Sequence, residues 1–81
     1  MAHHDVKLAA NFCEPVNTGR KTFEIRKNDR NYMEGDTIRL HEWAPEVGYS
    51  GRYWDFTVGY VTDYAQTPGY VVFSIHPIFT P

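Results

Sequence analysis

The sequence has a single cysteine, Cys13, among its 81 residues. One thiol excludes an internal disulfide and fits a reducing cytosol. Long apolar runs are missing as well: nothing approaches the roughly 18 residues of a membrane-spanning helix, so no membrane partner is predicted. The first residues, MAHHDVKL, contain no apolar signal core, which predicts a cytoplasmic protein. Positive charge is scarce. Eight Lys and Arg stand against ten Asp and Glu, a net charge of −2, which argues against a general nucleic-acid coat. Zinc-ligand spacing is absent: His3 and His4 are adjacent in a terminus expected to be mobile, and His41 and His76 are isolated. There is no phosphate loop, nucleophile elbow or dinucleotide fingerprint, so neither a metal nor a cofactor is predicted. Repeats, linkers and low-complexity segments are also lacking.

What is present is enough for one core. Hydrophobic residues make up 42% of the chain and aromatics 16%, so residues 1–81 are expected to fold as one domain with a largely aromatic core, as a monomer. The scarce positive charge is also unevenly placed. Gly19 to Arg30, GRKTFEIRKNDR, holds five basic and two acidic residues, a local charge of +3. The rest of the chain carries three basic and eight acidic residues, a net of −5.

Periodicity outlines the elements. Val6-Lys7-Leu8 reads as a short first strand. In NFCEPVNTG, Asn11 is an N-cap candidate with Glu14 three residues on, as in a capping box. Phe12 and Val16 share a helical face, Pro15 limits the helix to a turn or so beyond its start, and Gly19 is placed to end it. From Thr22 the period becomes two, with Phe23 and Ile25 on one side and Thr22, Glu24 and Arg26 on the other. NDRNYMEGD is a loop. Thr37 to Trp43 is a strand with Ile38 and Leu40 toward the core, and APEVGYSG is a turn region. Arg52 to Asp63 forms a long strand, with Trp54, Phe56, Val58 and Tyr60 on one side and Gly59 as a bend or bulge. Tyr70 to Ile75 is the last strand, with Val71, Phe73 and Ile75 buried, and Pro77 and Pro81 mark a loose tail. About five short strands around an aromatic core, with one short helix before the second strand, predict an α+β domain built on a small closed or nearly closed β-barrel.

GRKTFEIR matches Gly-x-Lys-x-x-Glu-x-Arg at Gly19, Lys21, Glu24 and Arg26. That pattern is the signature of the ASCH domain superfamily, whose barrel is similar to that of PUA RNA-binding domains. The wider run TGRKTFEIRKNDRNYMEGDTIRLHEW, with GYVVFSI later, resembles the small phage and bacterial DUF3850 branch of that superfamily. The likeness covers roughly Val6 to Ile75. It implies a PUA-like barrel and a role in binding RNA or a modified nucleoside.

The residues themselves support such a site. Gly19 allows a tight turn that brings Lys21 to the strand start. Glu24 and Arg26 are neighbours on one strand face, where the carboxylate orients the guanidinium toward a phosphate or a base. Lys21 adds a compact charge, Lys27, Asn28 and Arg30 extend the donor-rich edge, and Trp43, Tyr70 and Tyr32 are candidate stacking surfaces. The plain alternatives stand beside this. Glu24 and Arg26 also suit a structural ion pair, Lys27 and Arg30 a solvated loop, and Trp43 and Tyr70 a half-buried core. Cys13 reads as a buried structural thiol.

Three functions follow. The favoured one is a module that binds single-stranded RNA or a nucleotide without chemistry. The second comes from a branch of the superfamily that hydrolyses acylated cytidine using a lysine, a threonine and a glutamate. Lys21 matches that lysine, but Glu24 stands where the threonine is expected, so the catalytic pair would reduce to Lys21 and Glu24. The third is a phage-encoded inhibitor or protein-interaction module using the acidic surface that includes Glu34, Asp36, Glu42, Glu46, Asp55 and Asp63.

Overall fold

The alternation of apolar side chains is realised as strands in the computed structural model, which describes residues 1–78. The elements are β1 (His3–Ala9), α1 (Ala10–Asn17), β2 (Phe23–Lys27), β3 (Thr37–Ala44), β4 (Gly48–Thr62) and β5 (Tyr70–Pro77). One sheet holds all five strands in the order β1-β3-β4-β5-β2. β1 runs parallel to β3, and every other pair is antiparallel. The sheet curls into a half-barrel rather than a closed one, leaving β1 and β2 as its two edges.

The core lies on the concave face. Val6 and Leu8 of β1, Ile38 and Leu40 of β3, Phe56 and Val58 of β4, and Val71, Phe73 and Ile75 of β5 are buried there, and α1 adds Cys13 and Val16. The expected inward residues of β3 and β5 are thus inward. Burial pushes the Cys13 thiol up to about 11, with the neighbouring Glu42 carboxylate adding to the effect.

Turn chemistry fixes the approach to β2. Gly19 takes φ +77°, and the amides of Gly19 and Arg20 bond to the carbonyls of Val16 and Pro15 at 3.2 and 2.9 Å. This is a Schellman closure, which a glycine in the left-handed region makes without a Cβ penalty. The other end of the helix differs from expectation. Its N-cap is Ala9, with no side-chain cap bond, and Asn11 lies inside the helix. Pro15 is the sixth helical residue, past the first turn, and α1 ends two residues later. Pro15 has no N–H to continue the helical ladder.

A bulge in β4 decides where its side chains go. Val58 pairs with Ile75 but Val61 pairs with Phe73, so β4 gains one residue at Gly59–Tyr60. The extra residue reverses the alternation. Tyr60, expected beside Val58, is 70% exposed, and Val61 packs on the core instead. A Cβ on Gly59 would come within 2.0 Å of Ser74 Oγ, so the close approach needs glycine.

Strand limits also shift. β4 begins at Gly48, within the segment expected to be a turn, and Pro77 closes β5 instead of opening a tail; Pro81 lies outside the described residues. β1 begins at His3, so the terminus expected to be mobile is paired with β3. His4 is 6% exposed, and its Nε2 lies 2.8 Å from Asp36 Oδ2. Parallel pairing to a strand some 34 residues away has no local signature, which is why the histidines looked free.

Candidate ligand-binding cleft

The gap between the two free edges of the half-barrel is a cleft of about 520 Å³, within the size range of small-molecule sites. β1 gives it Lys7, Leu8 and Ala9, β2 gives Phe23 to Arg26, and Phe12 of α1, Lys21 of the turn and Trp43 of β3 complete it. The Gly19 turn is what sets Lys21 against the start of β2.

Glu24 is the centre of the polar wall. It is 3% exposed, while its strand neighbours Phe23 and Ile25 are 42% and 53% exposed. The hydrophobic pair of β2 therefore faces outward and toward the cleft, and the carboxylate faces inward. A buried carboxylate must be neutralised and hydrogen-bonded. Lys21 Nζ donates to Glu24 Oε1 at 2.5 Å, and Arg26 Nε donates to Oε2 at 2.9 Å. Lys21 Nζ also donates to the Phe23 carbonyl at 2.8 Å. Arg26 Nη2 crosses the seam to the Lys7 carbonyl at 2.5 Å, joining the edge of β2 to the edge of β1.

The three side chains hold two positive charges and one negative. Two of the ammonium protons of Lys21 are engaged, and Arg26 Nη1 has no partner among the described residues. Spare donors and one net positive charge remain on this cluster, and Lys7 adds a second positive charge to a mostly apolar cleft. Aromatic rings surround them. Lys21 Nζ lies 5.2 Å from the Phe12 ring centroid and 5.0 Å from that of Phe23, and Lys7 Nζ lies 4.3 Å over Trp43. Such a wall can take a planar group against its rings and an acceptor or anion against its donors.

The other predicted residues divide. Trp43 is in the cleft. Lys27 and Arg30 line a smaller groove of about 280 Å³ next to it, together with Lys7 and Arg26. Asn28 is structural: its amide bonds to the Gly69 carbonyl at 2.9 Å, and its Oδ1 accepts the Tyr32 amide at 3.0 Å. Tyr70, paired with Lys27, lines neither the cleft nor that groove. Tyr32 is 4% exposed, with its ring 4.9 Å from Phe73, so it belongs to the core and presents no free face for a base. Lys7, Phe12 and Phe23 were not singled out from the sequence. The signal for Lys7 was its place between two inward residues, Val6 and Leu8; nothing local placed Phe12 opposite Phe23.

A half-barrel of five strands, one helix and a cleft between its free edges defines a small barrel-like α+β fold. The chain belongs to the DUF3850 family, described as a domain of unknown function, whose match runs over residues 3–75. It is 47% identical over 60 residues to the uncharacterized 12.9 kDa protein in the GpA 3′ region of Escherichia phage P2. The alignment covers 74% of this chain and 54% of the phage protein, so the chain spans about half the length of that relative.

Proposed function

We propose that the protein is an ASCH-type, PUA-like domain that binds a nucleotide or single-stranded RNA in the seam cleft, without performing chemistry on it. The observation that carries this reading is the shared wall. Lys21, Glu24 and Arg26, the signature residues, meet within hydrogen-bonding distance in a cleft whose other walls are Phe12, Phe23 and Trp43. Rings suit a base, and the spare donors of Lys21 and Arg26 suit its exocyclic carbonyl or a phosphate. The resemblance to ASCH domains supports the same ligand class. Hydrolysis of an acylated cytidine has less support, since no residue lining the cleft carries a hydroxyl to act as nucleophile. The acidic-surface reading as a protein-interaction module rests on charge alone, and three of its residues, Asp36, Glu42 and Asp55, are engaged by partners within the fold.

A panel of nucleosides, nucleotides and short RNAs, titrated while amide chemical shifts are recorded, tests the reading. Shifts clustered on residues 7–9, 21–26 and 43 are expected. Shifts absent from that set across the whole panel would reject it, and released cytidine from an acylated substrate, abolished by Lys21→Ala, would replace binding with catalysis.

A further inference from the structure

We propose that the groove beside the cleft is a second subsite, which holds a backbone phosphate of an oligonucleotide whose base occupies the cleft. This rests on the nucleotide reading of the cleft. Five of the eight Lys and Arg residues are ion-paired: Arg20, Lys21, Arg26, Arg39 and Arg52. The other three, Lys7, Lys27 and Arg30, make no ion pair among the described residues, and all three line this one groove. Lys27 and Arg30 are near neighbours, at the end of β2 and in the loop after it, and the fold brings Lys7 of β1 to them.

The groove also contains Asp5 and Asp29. Asp5 is bonded to His41, Nε2 to Oδ1 at 2.8 Å, and this bond lowers its carboxyl below the usual range. Lys7 and Arg26 line both the groove and the cleft, so the two spaces adjoin. Their linings also differ in character: the cleft has Phe12, Phe23 and Trp43 and suits a base, whereas the groove is mostly charged and suits a phosphate. Tyr49, which also lines the groove, is 59% exposed, a ring on which the next base can stack. The ligand of this domain is then a chain of at least two nucleotides and not a free nucleoside.

The test compares each of the four ribonucleosides, their monophosphates, inorganic phosphate and the tetranucleotide of the best-bound nucleoside, on the full chain. The wild type is set against the double variant Lys27→Ala/Arg30→Ala, which removes two exposed, unpaired side chains. The tetranucleotide is expected to bind about tenfold or more tighter than the nucleoside, with the double variant cancelling that gain and leaving nucleoside affinity within about twofold. The salt dependence should flatten by about 0.7 in log–log slope for each phosphate that the variant no longer neutralises. A tetranucleotide that binds no tighter than the nucleoside, or equally well in both proteins, overturns the second subsite and leaves the cleft reading standing. Inorganic phosphate bound through Lys27 and Arg30 as tightly as the tetranucleotide would also overturn it, making the groove a free-phosphate site. If nothing in the panel shifts the cleft amides, the cleft reading fails, and the subsite fails with it.

Discussion

The protein buries two carboxylates to the same degree, and the contrast between their partners separates scaffold from site. Glu24 and Asp36 are each 3% exposed. Asp36 accepts the Ala2 amide at 3.0 Å on Oδ1, and the Met33 amide and His4 Nε2 at 3.0 and 2.8 Å on Oδ2. Those donors are backbone groups and a buried ring, so nothing is left over to meet a ligand. The arrangement ties the first strand to the loop before β3. Glu24 is held instead by two long cationic side chains that are still partly exposed and that line the cleft. A buried acid satisfied by backbone amides builds the fold; on the proposed reading, one satisfied by partly exposed cations positions donors for a ligand.

The sharpest break between the two is expected from Asp36→Ala. It leaves two amide donors and a buried imidazole unpartnered, a loss of roughly 3 kcal/mol. For a domain of this size that lowers the melting temperature by about 4–8 °C per kcal/mol. Whatever ligand affinity the folded fraction has should stay within about twofold of wild type. A melting temperature that does not move would show that the Asp36 node is not scaffold.

Glu24→Gln is expected to do the reverse. Stability should fall by less than in Asp36→Ala, because Lys21 and Arg26 can be solvated in the open cleft. Affinity should fall roughly tenfold, as the guanidinium and ammonium lose the carboxylate that aims them. The variant also adds one positive charge to the site. Tighter binding of an anionic ligand would mean that charge, not aim, governs the cleft.

Gly19→Ala should cost about 1 kcal/mol, read by denaturant unfolding. An added Cβ would meet nothing within 4 Å, so the cost is that of holding φ +77° in a residue that resists it. A stabilised variant would contradict the Schellman turn that positions Lys21.

The pH response gives the smallest and most diagnostic effect. Burial pushes the Asp36 carboxyl up, but the His4 bond and the Ala2 and Met33 amides outweigh it and hold the group below its usual value of 3.8. A depressed acid contributes stability that is present above its unfolded pKa and lost as pH falls through the folded one. Stability should therefore decline below about pH 4, and the part due to this group should be missing in Asp36→Asn. An identical acid limb in both proteins would mean that Asp36 does not drive the acid response. In the same folded protein Cys13, raised to about 11, should resist thiol reagents at neutral pH until the chain unfolds.

Much of this architecture was legible in the sequence, where the signals were local. The Gly19 terminator, the Gly59 bulge, the inward faces of β3 and β5 and the buried thiol all follow from neighbouring residues. The features that escaped depend on distant partners. His3 and His4 become strand residues only through β3, and Tyr32 becomes core only when Asn28 folds the loop back over Phe73. In β2 the apolar residues Phe23 and Ile25 turn away from the core because the strand is an edge whose inward face holds the ion cluster. At the site, spacing within GRKTFEIR was enough to bring Lys21, Glu24 and Arg26 together. Lys7 and Phe12, which complete the cleft across the seam, come from elements whose approach no spacing encodes.

On the proposed reading Arg26, held by Glu24 and hooked onto the carbonyl of Lys7, is a ligand-facing group and not a surface charge. The direct test measures the affinity of Arg26→Ala and Arg52→Ala for the best-bound short RNA, with the fold of each checked by amide spectra. Arg52 is an exposed cation whose nearest carboxylate, that of Glu42, is 3.8 Å away. Arg26→Ala should lose about tenfold or more in affinity, while Arg52→Ala stays within about twofold of wild type. Equal losses, or none in either protein, would contradict that role for Arg26.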